Sequence, residues 1–245
     1  LKLPETVQLL IDEAIKHVKE HPKHELGQAR RKTIYTALHQ TPEGTICCKW
    51  LAILSAKRVE NIYIEQTVHW KTQGNAQDKI EWAIKAISEG EEWAKEELID
   101  DWDVATRMIA ITEGVLIKTI SADYAKQALI LTYHPAVGAF AHASTLNQKG
   151  YLALRSAYQA LNEVLGSMPL QHSLSDGIQS SREWEDQRLA GVGGGVDDAA
   201  VNAAFSFAGD TENKNYDIEK FKTFWLWWLT DGMNEAWEKA NDLAP

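Results

Sequence analysis

Cysteine is almost missing from this chain: 245 residues contain two, and they are the neighbours Cys47 and Cys48. Adjacent residues on a helix point their side chains apart, so a bond between these two is strained and a disulfide framework is excluded. A reducing compartment fits that usage. Also missing is any apolar run near the roughly 18 residues that a membrane-spanning helix needs, and the start carries no hydrophobic signal core. The chain opens at Leu1 instead of methionine, which leaves room for a processed leader. Basic residues are scarce, with 25 lysines and arginines against 35 aspartates and glutamates and a net charge of −10. Phosphate binding needs a basic footprint, so nucleic acid is not the expected ligand and a basic partner is. The positive charge that exists gathers early, at Lys16, Lys19, Lys23, Arg30, Arg31 and Lys32. No internal repeat, useful heptad or domain-separating linker interrupts the chain. At 44% hydrophobic, residues 1–245 are long enough to bury a large core as a single domain.

What is present is helical periodicity. Val7, Leu10, Ile11, Ala14, Ile15 and Val18 recur at three- and four-residue steps between Pro4 and Pro22, which predicts a first amphipathic helix. A second is expected from about Glu25 to Leu38. A third opens at Pro42-Glu43-Gly44-Thr45, with Cys47, Trp50, Leu51, Leu54, Arg58, Val59 and Ile62 on its stripe toward Gln66. Gly74-Asn75 resets the chain before a helix with Ile80, Ala83, Ile84 and Ile87. From Glu91 the pattern is helical through Met108 to Leu116, and Ser121 with Asp123 suits a cap for the next helix. Tyr151 to Leu165 makes another stripe, closed by Gly166. Ser167 to Gly195, with Pro169 and Gly191-Val192-Gly193-Gly194-Gly195, reads as one long irregular connection. An alanine-rich helix, Val196 to Ala208, follows. The last segment carries four of the ten tryptophans, Trp225, Trp227, Trp228 and Trp237, with acids at its start. Tryptophan is costly to leave in water, so this helix is expected to plug into a core built by everything upstream. The fold class expected is all-α, an orthogonal bundle of about nine or ten helices with one long loop.

Few patterns invite chemistry. His17-Val18-Lys19-Glu20-His21 matches the H-x-x-E-H spacing of one zinc peptidase class, in which two histidines four apart hold metal and a glutamate handles water. Lysines and a proline crowd it, and no third ligand is nominated, so flank residues are the plainer reading and a zinc hydrolase the alternative. The glycine run lacks the lysine and serine or threonine of a P-loop and reads as a turn. Serines in the same stretch have no nucleophile-elbow frame. The two thiols on a helical stripe read as core.

Charge density is more informative. Between Glu81 and Asp103 lie nine acids, among them Glu91, Glu92, Glu96, Asp100, Asp101 and Asp103, against Lys85 and Lys95. A solvated helix face has the same composition. Trp93 and Trp102 are interleaved, however, and aromatic anchors ringed by charge are what a protein-binding hot spot requires. Such a field also speeds capture of a basic protein. A second acidic set, Glu183, Glu185, Asp186, Asp197, Asp198, Asp210 and Glu212, extends it if the two are neighbours in space.

Three segments together resemble the fifth-numbered family of immunity proteins from bacterial polymorphic-toxin systems. They are Leu26-Gly27-Gln28-Ala29-Arg30-Arg31-Lys32-Thr33-Ile34-Tyr35-Thr36-Ala37-Leu38, then Asp197-Asp198-Ala199-Ala200-Val201-Asn202-Ala203-Ala204-Phe205-Ser206-Phe207-Ala208-Gly209, then the terminal helix around Phe224 to Leu229 and Ala236-Trp237. The chain departs from the family pattern at Gly27, where proline is frequent, and at Gly209-Asp210, where the family has a glycine pair. The resemblance implies an all-helical cytoplasmic protein, made beside a toxin gene, that binds the toxin and blocks it without catalysis or cofactor. The expected toxin-binding residues are Glu91, Glu92, Trp93, Glu96, Asp100, Asp101 and Asp103. A helical ligand-binding sensor with an aromatic pocket is a third reading.

Overall fold

Val7, Ile11, Ala14 and Val18 are buried along one side of α1 (Glu5–Glu20), as their spacing requires. The computed structural model describes residues 2–63, 65, 104–123, 125, 148–165, 194–209 and 216–243. Its further elements are α2 (Gln28–Leu38), α3 (Gly44–Lys57), α4 (Val104–Leu116), α5 (Gln148–Leu165), α6 (Gly194–Ala208), α7 (Ile218–Trp227), a π turn (Trp228–Gly232) and α8 (Met233–Asp242). Backbone dihedrals stay helical at both junctions of the π turn, so α7 and α8 form one rod. Among the described residues there are then seven helices and no strand, and none is long and apolar enough to cross a membrane. One contiguous core draws on all of them.

The centre of that core is α3, where every residue from Trp50 to Ala56 is buried along with Cys47 and Cys48. A helix apolar on all sides has to be surrounded, and α2, α4, α5, α6 and α8 pack around it. Gly44 opens α3 against the end of α2. A Cβ there would stand 1.7 Å from the Leu38 carbonyl oxygen, so only glycine lets the two helices meet so closely. The stripe expected to run on toward Gln66 instead breaks after Lys57. Val59 donates its N–H to the Ala56 carbonyl at 3.1 Å and Ile62 to Val59 at 3.0 Å. These three-residue steps tighten the backbone, turning Val59 into the core and leaving Arg58 exposed instead of on the buried stripe.

Helices α5 and α6 lie antiparallel. Glu163 meets Val196, Ser156 meets Ala199 and Lys149 meets Ser206, with Ser156 Oγ donating to the Ala199 carbonyl at 2.8 Å and Ser206 Oγ to the Lys149 carbonyl at 2.7 Å. Buried small residues, Ala153, Ala157 and Ala160 on one side and Ala199, Ala200, Ala203 and Ala204 on the other, permit the approach. Most of the long loop expected over 167–195 lies outside the described residues, but its last two glycines are helical and begin α6. A side chain at Gly195 would meet the Glu163 Cβ at 2.8 Å and its Cα at 3.0 Å, which explains glycine in a helix's first turn. The Glu163 carboxylate accepts the Val196 N–H at 3.1 Å and caps the positive end of α6.

Local capping places the remaining elements. Asp217 accepts the Lys220 N–H at 3.0 Å and starts α7. Gly209, with φ of 102°, ends α6 in the left-handed conformation. Trp237 Nε1 donates to the Lys2 carbonyl at 3.1 Å and ties α8 to the beginning of the chain. Of the four tryptophans expected in the core, Trp225, Trp228 and Trp237 are buried, while Trp227 is half-buried and lies at the surface.

Candidate functional site

The residues expected to bind a partner, Glu91, Glu92, Trp93, Glu96, Asp100, Asp101 and Asp103, lie outside the described residues, as do Glu183, Glu185, Asp186, Asp210 and Glu212. The amino-terminal histidines are described. The His17 and His21 rings stand 4.9 Å apart on half-buried positions, with Glu20 exposed. Burial, and then the charge of Arg30, pushes the His17 imidazole below its ordinary range. His21 Nδ1 accepts the Lys23 N–H at 3.2 Å, which commits one ring nitrogen to the turn after α1. Among the described residues no group of three histidines, cysteines or carboxylates converges to hold a metal ion.

Both cysteines are free and buried. Burial pushes the Cys47 thiol up to about 12 and the Cys48 thiol well above its usual range, so neither supplies a thiolate near neutral pH.

What the structure assembles is a clasp that unites the three segments of the resemblance. Arg31 on α2 is 6% exposed and donates from Nε to Asp197 Oδ1 at 2.6 Å and from Nη2 to Asp197 Oδ2 at 3.1 Å. Its Nη1 donates to the Leu26 carbonyl. Its guanidinium carbon lies 5.2 Å from the centre of the Trp225 ring on α7. Burial works against the Arg31 charge, and the hydrogen bonds and charge of Asp197 outweigh it, holding the guanidinium protonated above its usual range. This corrects two expectations. Arg31 does not belong to the early basic surface, and Asp197 does not extend an acidic one, because each is spent on the other. With its fork committed inward, Arg31 has no free edge for a substrate. It joins α2 to α6 across 166 residues of sequence.

The sequence carried a signal for this pair. Arg31 sits three, four and seven residues before the buried Ile34, Tyr35 and Leu38, a position on the core stripe where a lone charge demands a partner. No local pattern identifies Asp197 as that partner.

Asp198 occupies the same turn. Burial, and then the neighbouring Asp197 carboxylate, pushes its carboxyl up to about 6, while Arg155 and Arg31 pull the other way. In the unfolded chain an aspartate titrates near 3.9. Between those values the folded protein holds more protons than the unfolded one, so this contribution to stability is present below about pH 4 and is lost as pH rises through about 6. Asp198→Asn is expected to remove that loss and to be more stable than the parent at pH 7 by about 2 kcal/mol. Urea denaturation midpoints measured from pH 4 to 7.5 check it; parent and variant curves that stay parallel through the window contradict it.

No protein-family model matches the chain, and a search of curated proteins finds no match either.

Proposed function

We propose that the chain is an immunity protein that binds and neutralises a cognate bacterial toxin domain by stoichiometric occlusion. The observation that carries the reading is the clasp. The three segments that resemble the immunity family, far apart in the chain, converge on Arg31, Asp197 and Trp225, as parts of one shared framework would. The acidic balance of the sequence supports a basic toxin, such as a nuclease, as the thing occluded. In this reading the protein works in the cytoplasm, performs no reaction and needs no cofactor. The expected fold in full, a single orthogonal bundle of about nine or ten helices, belongs to the same proposal. So does the docking surface, Glu91, Glu92, Trp93, Glu96, Asp100, Asp101 and Asp103.

The test is direct. The purified chain is mixed with the toxin domain encoded beside it, and a one-to-one complex that abolishes toxicity is the expected result. Lysine at Glu92, Glu96, Asp100 and Asp101 together is expected to slow association about tenfold or more at low ionic strength. The parent's association rate should also fall as salt is added, while the variant's should not. Stopped-flow association rates read both. An unchanged rate in the variant removes this surface; absence of any complex removes the immunity reading itself.

A further inference from the structure

The tight turn after α3 leaves Arg58 at the surface between two aromatic rings. Its guanidinium carbon lies 5.0 Å from the centre of the Trp227 ring on α7 and 5.6 Å from that of Phe207 on α6. Both rings are half-buried, and the fully buried Phe224 backs them at 5.5 and 6.2 Å, so the platform is set by the core. Among the described residues no carboxylate pairs with Arg58.

The chain itself shows what completes such an arrangement. Arg31 also lies over a tryptophan, Trp225, and there Asp197 fills the guanidinium fork with two hydrogen bonds. Arg58 over Trp227 is the same constellation at the surface, with the platform present and no carboxylate of the described residues in the fork. We propose that Arg58, held over Trp227 and Phe207, receives an aspartate or glutamate carboxylate presented by a partner protein.

Two arguments select that occupant. Guanidinium donors match a carboxylate bidentately, and a side chain already held on aromatic faces loses less freedom when it binds. Arginine and tryptophan are also the residues most enriched at interface hot spots. A nucleic-acid phosphate has the right shape, but a net charge of −10 repels a polyanion. Arg58, Trp227 and Phe207 make the contact without calling on any residue from Glu91 to Asp103. It acts at short range, after an encounter that the overall field has steered.

The experiment follows the Arg58 Nε–H signal by NMR in the full chain labelled with nitrogen-15 arginine, assigned by its loss in Arg58→Lys. Sodium acetate, inorganic phosphate and a short blocked peptide with one glutamate among leucines are titrated separately. The exposed Arg30, which no aromatic ring among the described residues holds, is the internal reference. Acetate is expected to saturate Arg58 at a concentration about fivefold lower than Arg30, in keeping with its reduced freedom. The glutamate peptide should bind more tightly than acetate, its glutamine counterpart should not bind, and Trp227→Leu should bring Arg58 back to the Arg30 midpoint. Arg58 and Arg30 titrating together, or an unchanged Arg58 midpoint in Trp227→Leu, overturns the proposal. Phosphate binding well ahead of acetate assigns the site to phosphates instead. A peptide no tighter than acetate removes a polypeptide as its source.

Discussion

Arg31→Ala is expected to destabilise the protein by about 3–5 kcal/mol, because it leaves the Asp197 carboxylate in a largely enclosed site with its hydrogen bonds gone. It also strips the Leu26 carbonyl of its donor and the Trp225 ring of its cation. Against a usual folding free energy of about 5–15 kcal/mol, such a loss leaves little stability in hand. Asp197→Ala should cost about as much, since a buried guanidinium is then unpaired. The informative variant is the double one. Arg31→Met with Asp197→Leu replaces both charges by apolar groups of similar bulk, and it is expected to fold within about 1 kcal/mol of the parent. Urea denaturation of the two single variants and the double variant reads the cycle. Single variants that lose less than about 1 kcal/mol would show that the pair is solvated and that α2 and α6 are held by apolar packing alone.

Trp228→Ala is expected to cost about 3–5 kcal/mol as well, by a different cause. The ring is 0% exposed and meets Tyr35 edge-on at 5.8 Å and Trp225 at 6.0 Å. Among the described residues its Nε1, the Trp225 Nε1 and the Tyr35 hydroxyl find no hydrogen-bond partner, so ring contacts and apolar area carry most of the gain from burying these side chains. Removing the ring opens a cavity at the start of the π turn, against the Tyr35 and Trp225 rings. Trp227→Ala, one residue earlier, should cost only about 1 kcal/mol, since its ring is half-buried at the surface, beside Phe224 and Arg58. Chemical denaturation of both variants checks the contrast; equal losses would mean that the rod is rotated relative to the core.

How much of this was legible depended on the range of the interaction. Pro4 and the spacing from Val7 to Val18 located α1, and the stripe ending at Leu165 before Gly166 located the end of α5. The start of α7 at Asp217 follows from a cap three residues from its donor. Such signals lie within a turn or two of the structure they specify. The break after Lys57 was not legible, because the residues there continue a helical period and only the surroundings of Val59 and Arg58 favour a tighter turn. Gly194 and Gly195 read as loop residues, since the close approach of Glu163 that makes glycine suitable in a helix there comes from another element. For the candidate surface, the charge pattern nominated residues from Glu91 to Asp103, whereas the aromatic platform at Arg58 draws on three separate helical segments and has no local pattern at all.

The sequence by itself determined that the described residues are helical, that the two thiols are not bridged, and that the last helix enters the core through Trp225, Trp228 and Trp237. Periodicity, adjacency and apolar area are properties of neighbouring residues and need no partner. Only the tertiary structure decided which charges are spent and which are open. Arg31 and Arg58 are the same residue type on helical stripes, and each lies over a tryptophan. One is paired across 166 residues with an aspartate, and the other faces solvent, because a charge's partner is set by how distant helices pack.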